Sequence, residues 1–350
     1  MPTSEEILDF EAISSRAETV VFDVLDESFV RIGEVTPVED SGTTVKFDAS
    51  QTVMRSLDSL RLTPADTAAI NPLRDLIRPS WKLANDTLYP LGIFLFDTPI
   101  EAPHSWGTDS TNSLRDLTMT LAVETSTSVG FARGQLVSSA LVSFIGDYIT
   151  TPVSVIGSTV QFGAPASWPP GTQAYKVMAD LCGLLGYLPP YFNNSGTLIC
   201  RPIPKIRQGT ADFTYDVGTK IEVDSVAEKQ NLTSAPNRYI VIGDGDVPVV
   251  GVFDIPDNAP NSITNRGGIV VSKTIQMQGV QSSSLARLAA RNIYLRDRAI
   301  PTTEFDAVAD PRHDGFDIVR YRGSNYIEVA WSLTLGHGGT HHHGLKAIYD

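Results

Sequence analysis

The densest run of chemistry-bearing side chains lies near the C-terminus, in Gly-His-Gly-Gly-Thr-His-His-His-Gly, residues 336–344, which holds four of the six histidines. Imidazole nitrogens ligate borderline divalent ions such as zinc or nickel. On an extended strand, His341 and His343 point to one face and His342 to the other. His337, in the glycine-rich turn, can join the first pair, so the candidate metal ligands are His337, His341 and His343. No Cys, Asp or Glu stands beside them in sequence to complete a set, and histidine also serves as an ordinary loop and strand residue. The sequence therefore assigns no metal, no cofactor and no catalytic residue.

Other groups are less informative. Asp244 and Asp246 in "GDGDVPVVG" (243–251) are two carboxylates without the rest of a calcium loop. The glycine spacing there is wrong for a dinucleotide loop, and the segment is expected to be a hairpin turn. Arg287, Arg291, Arg296 and Arg298 on a helical stretch are expected to form a solvated face. Cys182 and Cys200 belong to no CxxC pair and are expected to be buried thiols. Trp106 and Trp168, flanked by Pro and Gly, are the only candidates for a carbohydrate-binding platform. Walker A, HExxH and GxSxG sequences are absent.

The elements that would carry these groups fall into three stretches. "TVVFDVL", "ESFVRIGEV" and "TTVKFDA" have strand character, the last with Val45, Phe47 and Ala49 on one face. "SWKLANDTLYPLGIFLF" is expected to be a hairpin, with Pro90 and Gly92 marking an edge or bulge. The middle stretch has "SLRDLTMTLAV", expected as a strand, and a helix over 134–149 with Leu136, Ala140, Leu141, Phe144, Ile145 and Tyr148 on its stripe. A second helix, capped by Thr172 and stopped at Gly186, precedes a hairpin about Asn-Ser-Gly. From about residue 206 strands return ("ADFTYDV", "KIEVDSV", "NRYIVIGDG", "VPVVGVFDI", "GGIVVSKTI"), interrupted by a helix at about 282–299. In the last hairpin, simple alternation sets Tyr326, Glu328, Ala330 and Ser332 against Ile327, Val329, Trp331 and Leu333.

The fold class is thus mainly β with an α/β insertion. The expected division is an arm at 1–17, a β-barrel-like domain at 18–105, a helix-containing α/β domain at 106–205, and a second β-rich domain at 206–350. The 350 residues carry a net charge of −13, with 12 acids and 3 bases in the first 50. Such a chain is poorly suited to gripping nucleic acid, which requires phosphate neutralisation. The N-terminus has no apolar core of a signal peptide, and "LYPLGIFLF" is too short to span a bilayer.

Several segments, taken in order, resemble minor tail proteins of long-tailed bacteriophages, especially those infecting actinobacteria. These are Asn71-Pro72-Leu73 with Arg74, Arg78 and Trp81, then Tyr89-Pro90-Leu91-Gly92 and Ile93–Phe96. "AYKVMADLCGLLGY", "LICRPIP", "SAPNRYIVIGDG" and "DGFDIVRYRGSNYIEVAWSLTL" are similar to later parts of tail hub proteins. The resemblance runs over roughly 20–350. It implies a structural virion protein of the tail tip or baseplate, like the hub of contractile tails, made in the host cytoplasm and without catalysis. Such hubs are homotrimers with two barrel-like domains per subunit. The resulting pseudo-sixfold ring joins a hexameric tail tube to a threefold tip around the DNA ejection channel. The implied partners are distal tail or tail tube proteins, tip or fibre proteins and the tape measure protein, with DNA passing through unbound. The resemblance endorses no metal at 336–344. The competing readings are a carbohydrate-binding tail module and a metal-dependent cell-wall hydrolase using His337, His341 and His343.

Overall fold

A computed structural model describes residues 19–38, 42–83, 85–97, 110–163, 165–204, 210–215, 227–229, 235–243, 248–277, 280, 282–297, 302–336 and 339–347. The expected arm at 1–17, the strand "KIEVDSV", Trp106, Asp244, Asp246, Arg298 and His337 lie outside these residues. The first stretch holds β1 (Thr19–Leu25), β2 (Arg31–Val35), β3 (Thr44–Asp48), β4 (Arg55–Leu62), α1 (Pro64–Ala68), β5 (Leu76–Lys82), β6 (Leu88–Pro90), β7 (Phe94–Phe96) and β8 (Ser110–Asp116). The middle holds a 3-10 helix (Leu117–Ala122), β9 (Val129–Phe131), α2 (Val137–Gly146), β10 (Val153–Val155), β11 (Ala166–Trp168), α3 (Ala174–Leu185), β12 (Tyr191–Phe192) and β13 (Leu198–Cys200). The last comprises β14 (Phe213–Tyr215), β15 (Ala227–Lys229), β16 (Arg238–Gly243), β17 (Val250–Asp254), β18 (Ser272–Met277), α4 (Ser283–Arg296), β19 (Thr302–Val308), β20 (Ile318–Tyr321), β21 (Ser324–Thr334) and β22 (Thr340–Lys346).

The molecule is mainly β, at 41% strand and 17% helix, with no closed barrel formed by the described pairings. One large sheet has fourteen strands: eleven follow the path β15-β19-β22-β21-β3-β4-β8-β7-β5-β1-β2, β20 pairs with β21 and carries β14, and β6 pairs with β5. The β3–β21 pairing, Asp48 opposite Ala330 through Thr44 opposite Thr334, joins the first β stretch to the last. Alternation explains β3, where Val45 and Phe47 are buried and Lys46 is exposed. It fails for β4. There a register shift between Leu57 and Leu60 accompanies Ser59 at φ 61°, so Arg55, Leu57, Leu60 and Leu62 are all buried. A bulge of this kind hides the strand's period from the sequence.

Several expectations change in detail. "SLRDLTMTLAV" is not one strand: β8 ends at Asp116, whose carboxylate accepts the Thr118 N–H at 3.0 Å and starts the 3-10 helix. α2 is shorter than 134–149, because Leu136 is its partly exposed N-cap and Tyr148 lies beyond its end. Thr172 does not cap α3. Its hydroxyl donates to the Pro169 carbonyl at 2.7 Å, and the N-cap is Gln173. Gly186 does stop α3, in the left-handed conformation at φ 76°. The hairpin β5–β6 forms as expected and breaks before β7 at Gly92. At φ 127°, a Cβ there would lie 2.8 Å from the Phe94 ring.

The three longer helices pack in a chain that ends on the β17-β16-β18 sheet. α2 packs on α3, and α3 reaches α4 through Asn292, whose amide donates to the Gly183 carbonyl at 2.5 Å. α4 lies across β16 and β17 with Ala289, Ala290 and Asn292 inward. Arg287 and Arg291 face solvent, as the solvated-face reading requires. Cys182 and Cys200 are both buried, as expected. Trp168 is fully buried, its indole N–H donating to Asp180 at 3.0 Å, so it forms no sugar-binding platform.

Candidate functional site

The terminal hairpin β21–β22 and its neighbour β19 build one buried face. In register, Trp331 sits opposite His343 and Leu333 opposite His341; on the other side of β22, Phe305 and Ala307 oppose the same two histidines. Cross-strand partners share a face. His341 and His343 therefore point inward together, and both are fully buried. His342 points the other way, where its Nδ1 lies 2.6 Å from Asp306. This is the alternation the sequence predicts.

Two further groups join from positions the sequence does not mark. Strict alternation would put Glu328 on the face of Ala330 and Ser332. β21 instead carries a register shift between Glu328 and Ala330, which sets Glu328 opposite Leu345 and on the side of His343. The other is His313, from the loop between β19 and β20. Phe213 stacks on its ring at 3.6 Å between centroids. The loop backbone is held from several sides. Arg55 pairs with Asp314, Asn194 donates to the His313 carbonyl at 2.8 Å, and the Trp331 indole donates to the Asp314 carbonyl at 2.9 Å. Asp310 grips Arg312 through both oxygens, at 2.9 and 2.6 Å.

Glu328 bridges the cluster. One carboxylate oxygen lies 2.6 Å from His343 Nδ1 and the other 2.7 Å from His313 Nδ1. Burial alone would push this carboxyl up, but the two imidazoles overcome that and hold it at about 2. An ionised carboxylate only accepts hydrogen bonds, so both Nδ1 atoms donate to it and Nε2 is the remaining nitrogen of each ring. His313 Nε2 lies 2.8 Å from the Tyr215 hydroxyl. His343 Nε2 and both nitrogens of His341 make no hydrogen bond of normal geometry, the Asp310 backbone approaching His341 outside it.

The surroundings decide the charges. Burial pushes His341 well below the usual imidazole range, His343 and His313 add to the effect, and the Asp310 backbone opposes it without reversing it. Burial also lowers His343, with Glu328 opposing. For His313 the same burial is outweighed by Glu328, and its pKa is raised. Burial lifts Asp317 to about 7. His313, His341 and His343 each offer a nitrogen within 4.8 Å of the others, and His313, Asp317 and Glu328 form a second such group. No acid adjoins these histidines in sequence, but Glu328, Asp310 and Asp317 reach them through tertiary structure.

With this geometry in view, the whole chain can be compared with known proteins. No family model matches it, and neither does any curated protein. Solved structures do. The chain is similar to a tail protein from Neisseria meningitidis at a TM-score of 0.64 and 12% identity, covering 94% of this chain and 96% of that one. It is similar to the 43 kDa tail protein of prophage MuSo2 from Shewanella oneidensis at 0.62 and 14%, covering 94% and 98%. A third is the prophage tail protein gp18 from Listeria monocytogenes, at 0.56 and 10%, covering 93% and 94%. The fold is one shared with phage tail proteins. It is matched from end to end and not through a single motif.

Two outer strands of this shared fold expose apolar side chains. β2 ends the large sheet, with Ile32 and the adjoining Val30 exposed. β17 ends the β17-β16-β18 sheet and exposes Val250 and Val252. Among the described residues no further strand pairs with these edges, and such edges are surfaces on which neighbouring chains can add. Among the described residues, no helix is long and apolar enough to cross a membrane.

Proposed function

We propose that the chain is a structural protein of a phage tail, the hub of the tail tip or baseplate. The observation that carries this reading is the similarity to three tail proteins over more than nine-tenths of both chains. Three copies form a ring that matches a hexameric tail tube to a threefold tip and surrounds the DNA ejection channel. Its partners are further copies of itself, distal tail or tube proteins, tip or fibre proteins and the tape measure protein, and its place is the virion. The exposed apolar edges at β2 and β17 support assembly with neighbours. An actinobacterial, long-tailed phage rests on the sequence resemblance alone. The role is architectural, with no catalysis.

The test is the solution mass of the purified chain by light scattering, with negative-stain imaging of the same sample. The expected result is a particle of three 37.9 kDa chains with an open centre. A closed trimer without a hole, or a different cyclic symmetry, would count against the hub.

A further inference from the structure

Three histidines from two distant segments meet in the protein interior. Ring centroids are 4.0 Å apart for His341 and His343, and 4.8 Å for His313 with each of them. Burying an imidazole nitrogen without a hydrogen-bond partner is unfavourable, yet His343 Nε2 and both His341 nitrogens are buried that way. Phenylalanine would fill the same space without that penalty. Glu328 adds a directional element, since a carboxylate accepting from Nδ1 turns Nε2 of each ring toward an ion, unpartnered in His343 and bonded to the Tyr215 hydroxyl in His313.

The geometry points to a structural site for a zinc-class divalent transition metal, held by His313, His341 and His343 and oriented by Glu328. Neutral imidazoles suit zinc, cobalt, nickel or copper, whereas calcium and magnesium require a cage of oxygens. Tyr215, whose hydroxyl lies 2.8 Å from His313 Nε2, supplies a further oxygen beside the three nitrogens. The alternative group of His313, Asp317 and Glu328 lacks the unpartnered nitrogens that His341 and His343 bring. Glu328 serves two histidines, and Asp317 accepts the Asp314 N–H at 2.7 Å. All three histidines are shut off from solvent, which fits a structural ion that pins the 309–317 loop to the C-terminal hairpin. This inference does not depend on the tail reading.

The test uses the full chain, purified without a histidine tag or chelator. Elemental analysis should find about one transition-metal ion per chain. Stripping it should lower the Tm by roughly 10 °C, and added Zn2+ should restore it. Co2+ added to the stripped protein should give the intense visible bands of a low-coordinate nitrogen site. His341→Phe should abolish both ion and bands, while His342→Ala, on the opposite face of β22 beside Asp306, should keep them. Metal-free protein whose melting and cobalt spectrum do not respond would overturn the site, as would full retention of the ion by His341→Phe. If His341→Phe does not fold, the cobalt spectrum and zinc response of the unsubstituted chain decide.

Discussion

Asp116 shows how a single residue can set both a local stop and a pH response. It ends β8 by capping the 3-10 helix, and its carboxyl is almost fully buried. Burial lifts its pKa to about 6, against the opposing pull of Thr118 and Arg55. In the unfolded chain it returns to 3.8. Between these values the native state binds the extra proton, so stability falls as pH rises from about 4 to about 6 and stays reduced above. The shift corresponds to about 3 kcal/mol. Asp116→Asn keeps the cap acceptor without the charge. Urea unfolding should show it about 1–3 kcal/mol more stable than the parent at about pH 8 and no more stable at about pH 4. Equal differences at both pH values would refute the assignment. At this scale the sequence is legible where side chains alternate, as at His341 and His343. It is silent on His313, which arrives on a loop, and misleading on Glu328, because one extra residue in β21 reverses the face it presents.

Among the elements, β4 is tied to the rest of the molecule by Arg55. This guanidinium is 1% exposed and reaches Asn194 in the β12–β13 turn and Asp314 in the loop before β20, with its charge over the rings of Phe47 and Trp331. It therefore links strands from all three stretches of the chain. Removing one partner of such a buried pair leaves the other uncompensated. Arg55→Leu should destabilise the fold by about 3 kcal/mol, somewhat below the fully buried case because Asp314 is 29% exposed. With Asp314→Asn already in place, the same substitution should lose clearly less in a double-mutant cycle. Additive losses would show that the pair contributes nothing of its own. The hairpins β5–β6, β12–β13 and β21–β22 were readable from turn residues and alternation. The β4 strand was not, since Ser59 at positive φ breaks its period, and the 3-10 helix after Asp116 was hidden inside an apolar run that suits a strand equally well.

For the whole molecule, the β, helical, β order along the chain was legible, but its consequence in space was not. The first and last stretches share one sheet through β3 and β21, a pairing between residues as far apart as Asp48 and Ala330 that leaves no local signal. Charge is the property of the whole that bears most directly on the proposed ring. The net charge is −13, and many of the described cations are already matched to carboxylates: Arg31 and Arg78 to Asp23, Lys46 to Asp58, Arg115 to Asp97, Arg238 to Asp254 and Lys273 to Asp297. Affinity for DNA without sequence preference comes from releasing counterions as free cations meet phosphates. A chain whose 40 carboxylates outnumber its 27 cations has no net positive charge to offer, and a channel wall of like charge lets DNA pass without trapping it. The purified assembly should therefore fail to retard double-stranded DNA in gels at about 0.1 M salt, showing no binding tighter than the 10⁻⁴ to 10⁻⁶ M range typical of non-specific binders. Tight, salt-sensitive binding would mean that a cationic surface is exposed on assembly, and the wall of an ejection channel would then be the wrong place for this protein.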